Sequence, residues 1–140
     1  LLRDTPGREP GFRYPLPVPG SVHVPASGVV SATRGHSAIT GAGAALEAAV
    51  ALADGCPGGL VVRSRRPGDV IRLRSGRKKL QDLFVDAKVP RWERDARPVV
   101  TDSSDTIVWV PGLGVSEAFR VDPAGGEVIL LRFSPEGEQA

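Results

Sequence analysis

Five cations fall within eight residues of one another: Arg72, Arg74, Arg77, Lys78 and Lys79. Guanidinium and ammonium groups at that density offer one kind of chemistry, the holding of phosphates or other anions through charge-assisted hydrogen bonds. Gly68 and Gly76 flank or interrupt the run, and glycine lets a backbone approach a phosphate closely. Five more arginines, Arg63, Arg65, Arg66, Arg91 and Arg94, stand on either side. From Val61 to Arg97 the chain holds twelve of its eighteen Lys and Arg residues against five acidic ones, a formal +7, while the remainder sums to −5. The net +2 of the whole chain therefore hides a basic segment in an acidic frame, the footprint of a polyanion-binding surface. A face that serves only solubility has the same composition. The local pattern, however, reads Arg77, Lys78 and Lys79 as the opening of a helix, where the dipole disfavours cations, and phosphates facing them would offset that cost.

No other constellation carries chemistry. Two histidines and one cysteine without clustered spacing supply no zinc site, so no metal ligand is assigned. His23 and His36 form no Ser-His-Asp arrangement with Ser116 or the scattered aspartates, and no catalytic residue is assigned. Gly41-Ala42-Gly43 has only the first two glycines of a dinucleotide fingerprint and follows no apolar strand. Pro111-Gly112-Leu113-Gly114 lacks the Lys and Ser/Thr of a phosphate loop and reads as a turn. Trp92 and Trp109 have the faces to stack on nucleobases, but seven aromatics are few for a domain of this size, which favours core packing for both.

The elements that must position the cations follow from periodicity. Val61-Val62 leads into Arg63, and Pro67-Gly68-Asp69 makes a turn. Val70-Ile71-Arg72-Leu73-Arg74 then reads as a strand with Arg72 and Arg74 opposite Ile71 and Leu73. Ser75-Gly76 breaks it, and a helix follows with Leu80, Leu83, Phe84 and Ala87 as its buried stripe. Lys78 and Asp82 form an attractive pair on its outer side. Val89-Pro90 ends that helix and starts a second short one through Arg91, Trp92, Arg94 and Asp95, which Pro98 stops.

Residues 1–19, with five prolines, read as a linker from an upstream region, although Phe12, Tyr14 and Leu16 alternate as an edge strand would. Gly20 to Ala32 is a β-hairpin. Local propensity favours a helix over Ala44–Ala53, but a strand over Ala48–Ala53, with Val50 and Leu52 on one face, is the preferred reading. Val99–Thr101, Ile107–Val110, Ala118–Val121 and Val128–Phe133 read as further strands. The domain is thus 20–140 with a basic core at 61–97, an α+β fold of mostly antiparallel strands with one or two short helices. No apolar run is long enough to span a bilayer, so no membrane partner is expected. The lone Cys56 fits a reducing cytoplasm, and a chain with no methionine reads as an excised fragment.

Three blocks together, RSRRPGD (63–69), KKLQDLFVDAKVPRWERDARPVV (78–100) and DTIVWVPGLGVSEAFRV (105–121), resemble the C-terminal part of bacterial tRNA(Ile)-lysidine synthetase. That family carries R-x-R-x-x-G-D, then K-K-L-x-x-x-F/L-x-x-x-x-V-P-x-W-x-R-D-x-x-P, then I-x-W-V-x-G-x-x-x-S/D-E-x-F, in this order. The likeness runs over about residues 14–133 and is dense from Val61 onward. It implies a small α+β domain similar to one in the β-subunit of phenylalanyl-tRNA synthetase. It also implies a parent ligase that uses ATP with Mg to join lysine to the anticodon wobble cytidine of tRNA(Ile). The family's S-G-G-x-D-S loop for ATP is nowhere in this sequence, so the resemblance puts ATP in a separate N-terminal catalytic domain and no cofactor here. The expected role of this domain is to grip the tRNA body, around the acceptor stem, with Arg63, Arg65, Arg66, Arg72, Arg74, Arg77, Lys78, Lys79, Arg91 and Arg94. A structural or protein-interaction domain, its basic face against an acidic partner or the catalytic domain, is the competing reading.

Overall fold

The computed structural model describes residues 12–24, 27–36, 46–51, 59–94, 96–119 and 127–135. In chain order the first elements are β1 (Arg13–Leu16), β2 (Gly20–Val24), β3 (Gly28–His36), β4 (Glu47–Val50) and β5 (Leu60–Arg63). There follow β6 (Val70–Leu73), β7 (Gly76–Lys79), α1 (Leu80–Asp86) and α2 (Arg91–Arg94). The chain continues through β8 (Val99–Thr101), β9 (Ile107–Val110), β10 (Gly114–Val115), a 3-10 turn at Glu117–Phe119, and β11 (Glu127–Pro135).

The strands form three antiparallel sheets, ordered β1-β5-β8-β9-β10, β2-β3-β11-β4 and β6-β7. Leu16, Leu60, Val62, Val100, Val108 and Trp109 of the five-stranded sheet share one core with Val24, Val30, Ala32, Ala48, Val50, Ile129, Leu131 and Phe133 of the four-stranded one. A second core gathers Ile71, Leu80, Leu83, Phe84 and Val89 against Val99, Ile107 and Val110 of the five-stranded sheet. That sheet is therefore covered on both faces, which is why its strands LVVR, VVT and IVWV are buried at every position rather than alternately. Each fully buried Val, Leu, Ile or Phe contributes ~1.5–3 kcal/mol relative to exposure. The small second core thus anchors α1 and the β6–β7 hairpin as one unit.

The α+β, mainly antiparallel architecture read from the sequence is the one found, and Trp109 is core, 1% exposed. Arg13–Leu16 does dock as an edge strand, where Pro15 breaks no ladder on its free side. The alanine-rich stretch forms strand β4, whose pairing to β11 (Ile129 opposite Val50, Leu131 opposite Ala48) overrides alanine's helical preference. Leu52, Ala53, Cys56 and Gly41-Ala42-Gly43 lie outside the described residues.

Three expectations are corrected. Arg77, Lys78 and Lys79 do not open a helix; they form β7, and α1 begins at Leu80, whose N–H donates to the Asp69 carbonyl at 2.9 Å. Ala87 is not part of the buried stripe: α1 has ended, and Ala87 is its exposed C-cap. Of the strand expected over Ala118–Val121, Ala118 and Phe119 lie instead in a 3-10 turn, Glu117–Phe119, started by Ser116, whose hydroxyl accepts the Ala118 N–H at 3.2 Å, while Arg120 and Val121 lie outside the described residues.

Gly28 shows what holds the four-stranded sheet close. Its φ is +151°, and a Cβ there would run into the Ser134 carbonyl oxygen, with Pro135 Cα 2.8 Å away. Both obstacles are backbone of the paired strand β11 and have no rotamer to adjust. Gly28→Ala is expected to lower stability by at least ~1–3 kcal/mol, the range for overpacking a filled site. Urea unfolding checks this, and an unchanged midpoint would mean that β3 and β11 separate freely at that end.

Candidate nucleic-acid interface

The hairpin that carries the cations is set up by the turn before it. Asp69 closes this turn with its N–H on the Arg66 carbonyl (3.1 Å) and its carboxylate on the Arg66 N–H (2.6 Å), with Gly68 at φ +88° between them. Ile71, 1% exposed, then drops into the second core, and a two-residue turn at Arg74-Ser75 returns the chain along β7. In this register Arg72 stands opposite Arg77, and Val70 opposite Lys79. Residues directly opposite share a face, so Arg72, Arg77 and Lys79 project together on the outer side, with exposed Arg74 at the tip. Ile71, Leu73 and Lys78 take the inner side.

Lys78 is consequently separated from its neighbours. Its ammonium reaches across to the Asp86 carboxylate of α1 at 2.5 Å, not to Asp82. The hydrogen bond to Asp86, then its charge, raises the Lys78 pKa. Among the described residues no carboxylate lies within ion-pair distance of Arg72, Arg74, Arg77 or Lys79. Like charges directly opposite across a hairpin oppose the pairing that creates them, so the Arg72–Arg77 pair favours an anion on that face.

Behind the hairpin lies an arginine unlike the others. Arg63 is 1% exposed. Its Nη1 and Nη2 grip both oxygens of Asp69 at 3.0 Å, Nη1 also donates to the Ser64 carbonyl at 2.9 Å, and Nε donates to Asp105 Oδ1 at 3.0 Å. The second oxygen of Asp105 accepts from Arg66 Nη1 at 2.9 Å. Asp105 itself sits at φ +68°, on a loop where Asp102 Oδ1 accepts the N–H groups of Ser104 and Thr106 at 2.9 Å. Two cations and two carboxylates thus tie together the end of β5, the 64–69 turn and the 102–106 loop. Arg63 is a support of the candidate interface; four of its five guanidinium N–H groups are engaged, and its burial leaves no surface for a ligand.

Desolvation pushes the Asp105 carboxyl upward, but the hydrogen bond and charge of Arg63, with Arg66 and Arg13 adding to them, hold it below the usual carboxylate range. Stability from this group is therefore present above its unfolded value of about 3.9 and is lost as pH falls through the lower folded value. The thermal midpoint of the parent should fall more steeply than that of Asp105→Asn between about pH 4 and pH 2. Parallel curves would mean that Asp105 gains nothing from its arginines.

The remaining cations are placed separately. Arg65 lies over the Phe84 ring, 5.8 Å from its centroid, and Arg66 is exposed. Arg91 is exposed at the start of α2, whereas Arg94 turns back so that its Nε donates to the Val89 carbonyl at 2.9 Å. The Trp92 side chain lies outside the described residues. Arg13 went unnoticed because it falls in a proline-rich segment, yet β1 sets it directly opposite Arg63 and near Asp105. Alternation of Phe12, Tyr14 and Leu16 was the signal that this segment belongs to the sheet.

With this geometry in view, comparison with known proteins is specific. The family model described as "TilS substrate C-terminal domain" matches residues 60–131, from the start of β5 into β11. A tRNA(Ile)-lysidine synthase of Symbiobacterium thermophilum is 41% identical over 131 residues, covering 89% of this chain and 27% of that protein. The Geobacillus kaustophilus protein of the same name is 37% identical over 134 residues, covering 93% of this chain and 28% of that protein. The chain therefore spans little more than a quarter of these relatives. A crystal structure of a TILS C-terminal domain superimposes with a TM-score of 0.81 at 32% identity, covering 91% of this chain and 99% of the other. From β5 onward, in sequence and in fold, this chain belongs to the TilS substrate C-terminal domain family.

Proposed function

We propose that this domain grips the body of tRNA(Ile), around the acceptor stem, for a longer cytoplasmic tRNA(Ile)-lysidine synthetase. The observation that carries the reading is the outer face of the β6–β7 hairpin, where Arg72, Arg77 and Lys79 stand together, with no carboxylate partner among the described residues. A-form RNA is held chiefly through phosphates and 2′-hydroxyls, which such a face suits. The ligation, with its ATP, Mg and lysine, is assigned to the N-terminal catalytic domain, since the sequence has no S-G-G-x-D-S loop. Holding the tRNA at a remote point contributes there by positioning the wobble cytidine, which lowers the entropic part of the barrier. The second partner in this reading is that catalytic domain itself.

A filter-binding titration of this chain with tRNA(Ile) tests the proposal. Binding at low salt that weakens steeply as salt rises is expected. No binding at low salt, from a chain that is folded by circular dichroism, would leave the protein-interaction reading in its place.

A further inference from the structure

We propose that Asp105 is a built-in competitor for the RNA, holding Arg66 until a phosphate displaces it. The inference rests on the tRNA-gripping role proposed above. It starts from an asymmetry in the Arg63 network. One oxygen of Asp105 points inward to a guanidinium that is 2% exposed, while the other binds Arg66, whose side chain is 48% exposed. The inner contact is sealed by protein. The outer one faces solvent, where a phosphate reaches the Arg66 fork as readily as water does.

Exposed ion pairs of this kind are worth little, so exchanging one oxyanion for another at Arg66 costs little. A phosphate is at least as good a partner, because a guanidinium binds it with two parallel hydrogen bonds. The Asp102 turn fixes the loop that carries Asp105, and Arg63 Nε, donating to Oδ1 at 3.0 Å, anchors the carboxylate. It therefore cannot swing away with Arg66, and its charge stays beside any arriving phosphate. Arg13, opposite Arg63 on β1, adds a third cation around the same carboxylate. In this account Asp105 has two roles. It completes the acceptors around Arg63, and it weakens attraction for any anion too poor in charge to displace it from Arg66.

Asp105→Asn separates the two, because the amide oxygen can still accept from Arg63 Nε while the negative charge is gone. A purely bracing residue should only lose function when altered. A competitor should gain it. Affinity for tRNA(Ile) is expected to rise about fivefold, the size of one solvent-exposed charge contact. The slope of log affinity against log salt should stay that of the parent, because Arg66 meets the same phosphate in both proteins. Arg66→Ala, at an exposed position, should lower affinity and flatten the slope by about 0.7–0.9. If Asp105→Asn does not fold, Asp105→Gly, equally uncharged and suited to the positive φ, carries the same expectation. Unchanged or weaker binding by a folded Asp105→Asn, or unchanged binding by Arg66→Ala, overturns the inference. Should the parent fail to bind tRNA at all, the proposed function fails first. Should the parent bind and respond to loss of Arg72, Arg77 and Lys79 but not to these variants, only the Asp105 inference fails.

Discussion

Arg63→Met is expected to lower the stability of the domain by about 3–5 kcal/mol, the usual result of removing one partner from a buried ion pair. Methionine fills much of the arginine's volume, so the loss is not that of a cavity. What remains is Asp69, with a side chain 11% exposed, facing the space that the guanidinium left. The damage should not stay local. The Asp69 carboxylate also holds the Arg66 N–H, and its carbonyl accepts from Leu80 at the start of α1. Arg63→Lys is expected to rescue little, because an ammonium cannot bind both oxygens of Asp69 and also reach Asp105. Urea unfolding of the three proteins measures this, with Arg66→Ala as the exposed comparison, expected to stay within about 1 kcal/mol of the parent. A loss below about 1 kcal/mol for Arg63→Met would contradict the role given to the network.

The same residue shows where sequence reading stops. Arg63, Arg65 and Arg66 are alike as letters and were grouped as one basic cluster. What separates Arg63 is Asp105, forty-two positions further on, which arrives only when β5, β8 and β9 are assembled. The hairpin was missed for a related reason. Arg77 to Phe84 is a run of good helix formers, and local preference extends the helix back to Arg77. Pairing of β7 with β6 decides otherwise, since it lets Ile71 and Leu73 cover the same core as Leu80 and Phe84. Patterns that depend on one element alone were legible: the alternation of β1, the turn at Pro67-Gly68-Asp69, the stripe Leu80, Leu83 and Phe84, and the apolar strands β5, β8 and β9. The concentration of charge between Val61 and Arg97 was legible as well. Which cations share a face was not, because that is a property of register.

Register turns the charge count into a sharper expectation. Arg72, Arg77 and Lys79 share the outer face, while Lys78, between two of them in sequence, is held to Asp86 on the inner side. Converting the three outer residues to alanine should weaken tRNA binding, and the loss should shrink by roughly 100-fold or more for each tenfold rise in salt, so the effect is greatest at low ionic strength. All three are exposed and none supports the core, so stability should change by less than about 0.5 kcal/mol per site. Different RNAs should weaken alike, because phosphate contacts position a ligand without reading its bases.

The most direct measurement is a salt titration of tRNA(Ile) affinity for the parent, for Arg72→Ala/Arg77→Ala/Lys79→Ala, and for Lys78→Ala. The triple variant should flatten the slope of log affinity against log salt by about two to three, at roughly 0.7–0.9 for each lost contact. Lys78→Ala should leave the slope where it was. Equal slopes for parent and triple variant, both folded by circular dichroism, would contradict the account, and the outer face of the hairpin would then be an ordinary solvated surface.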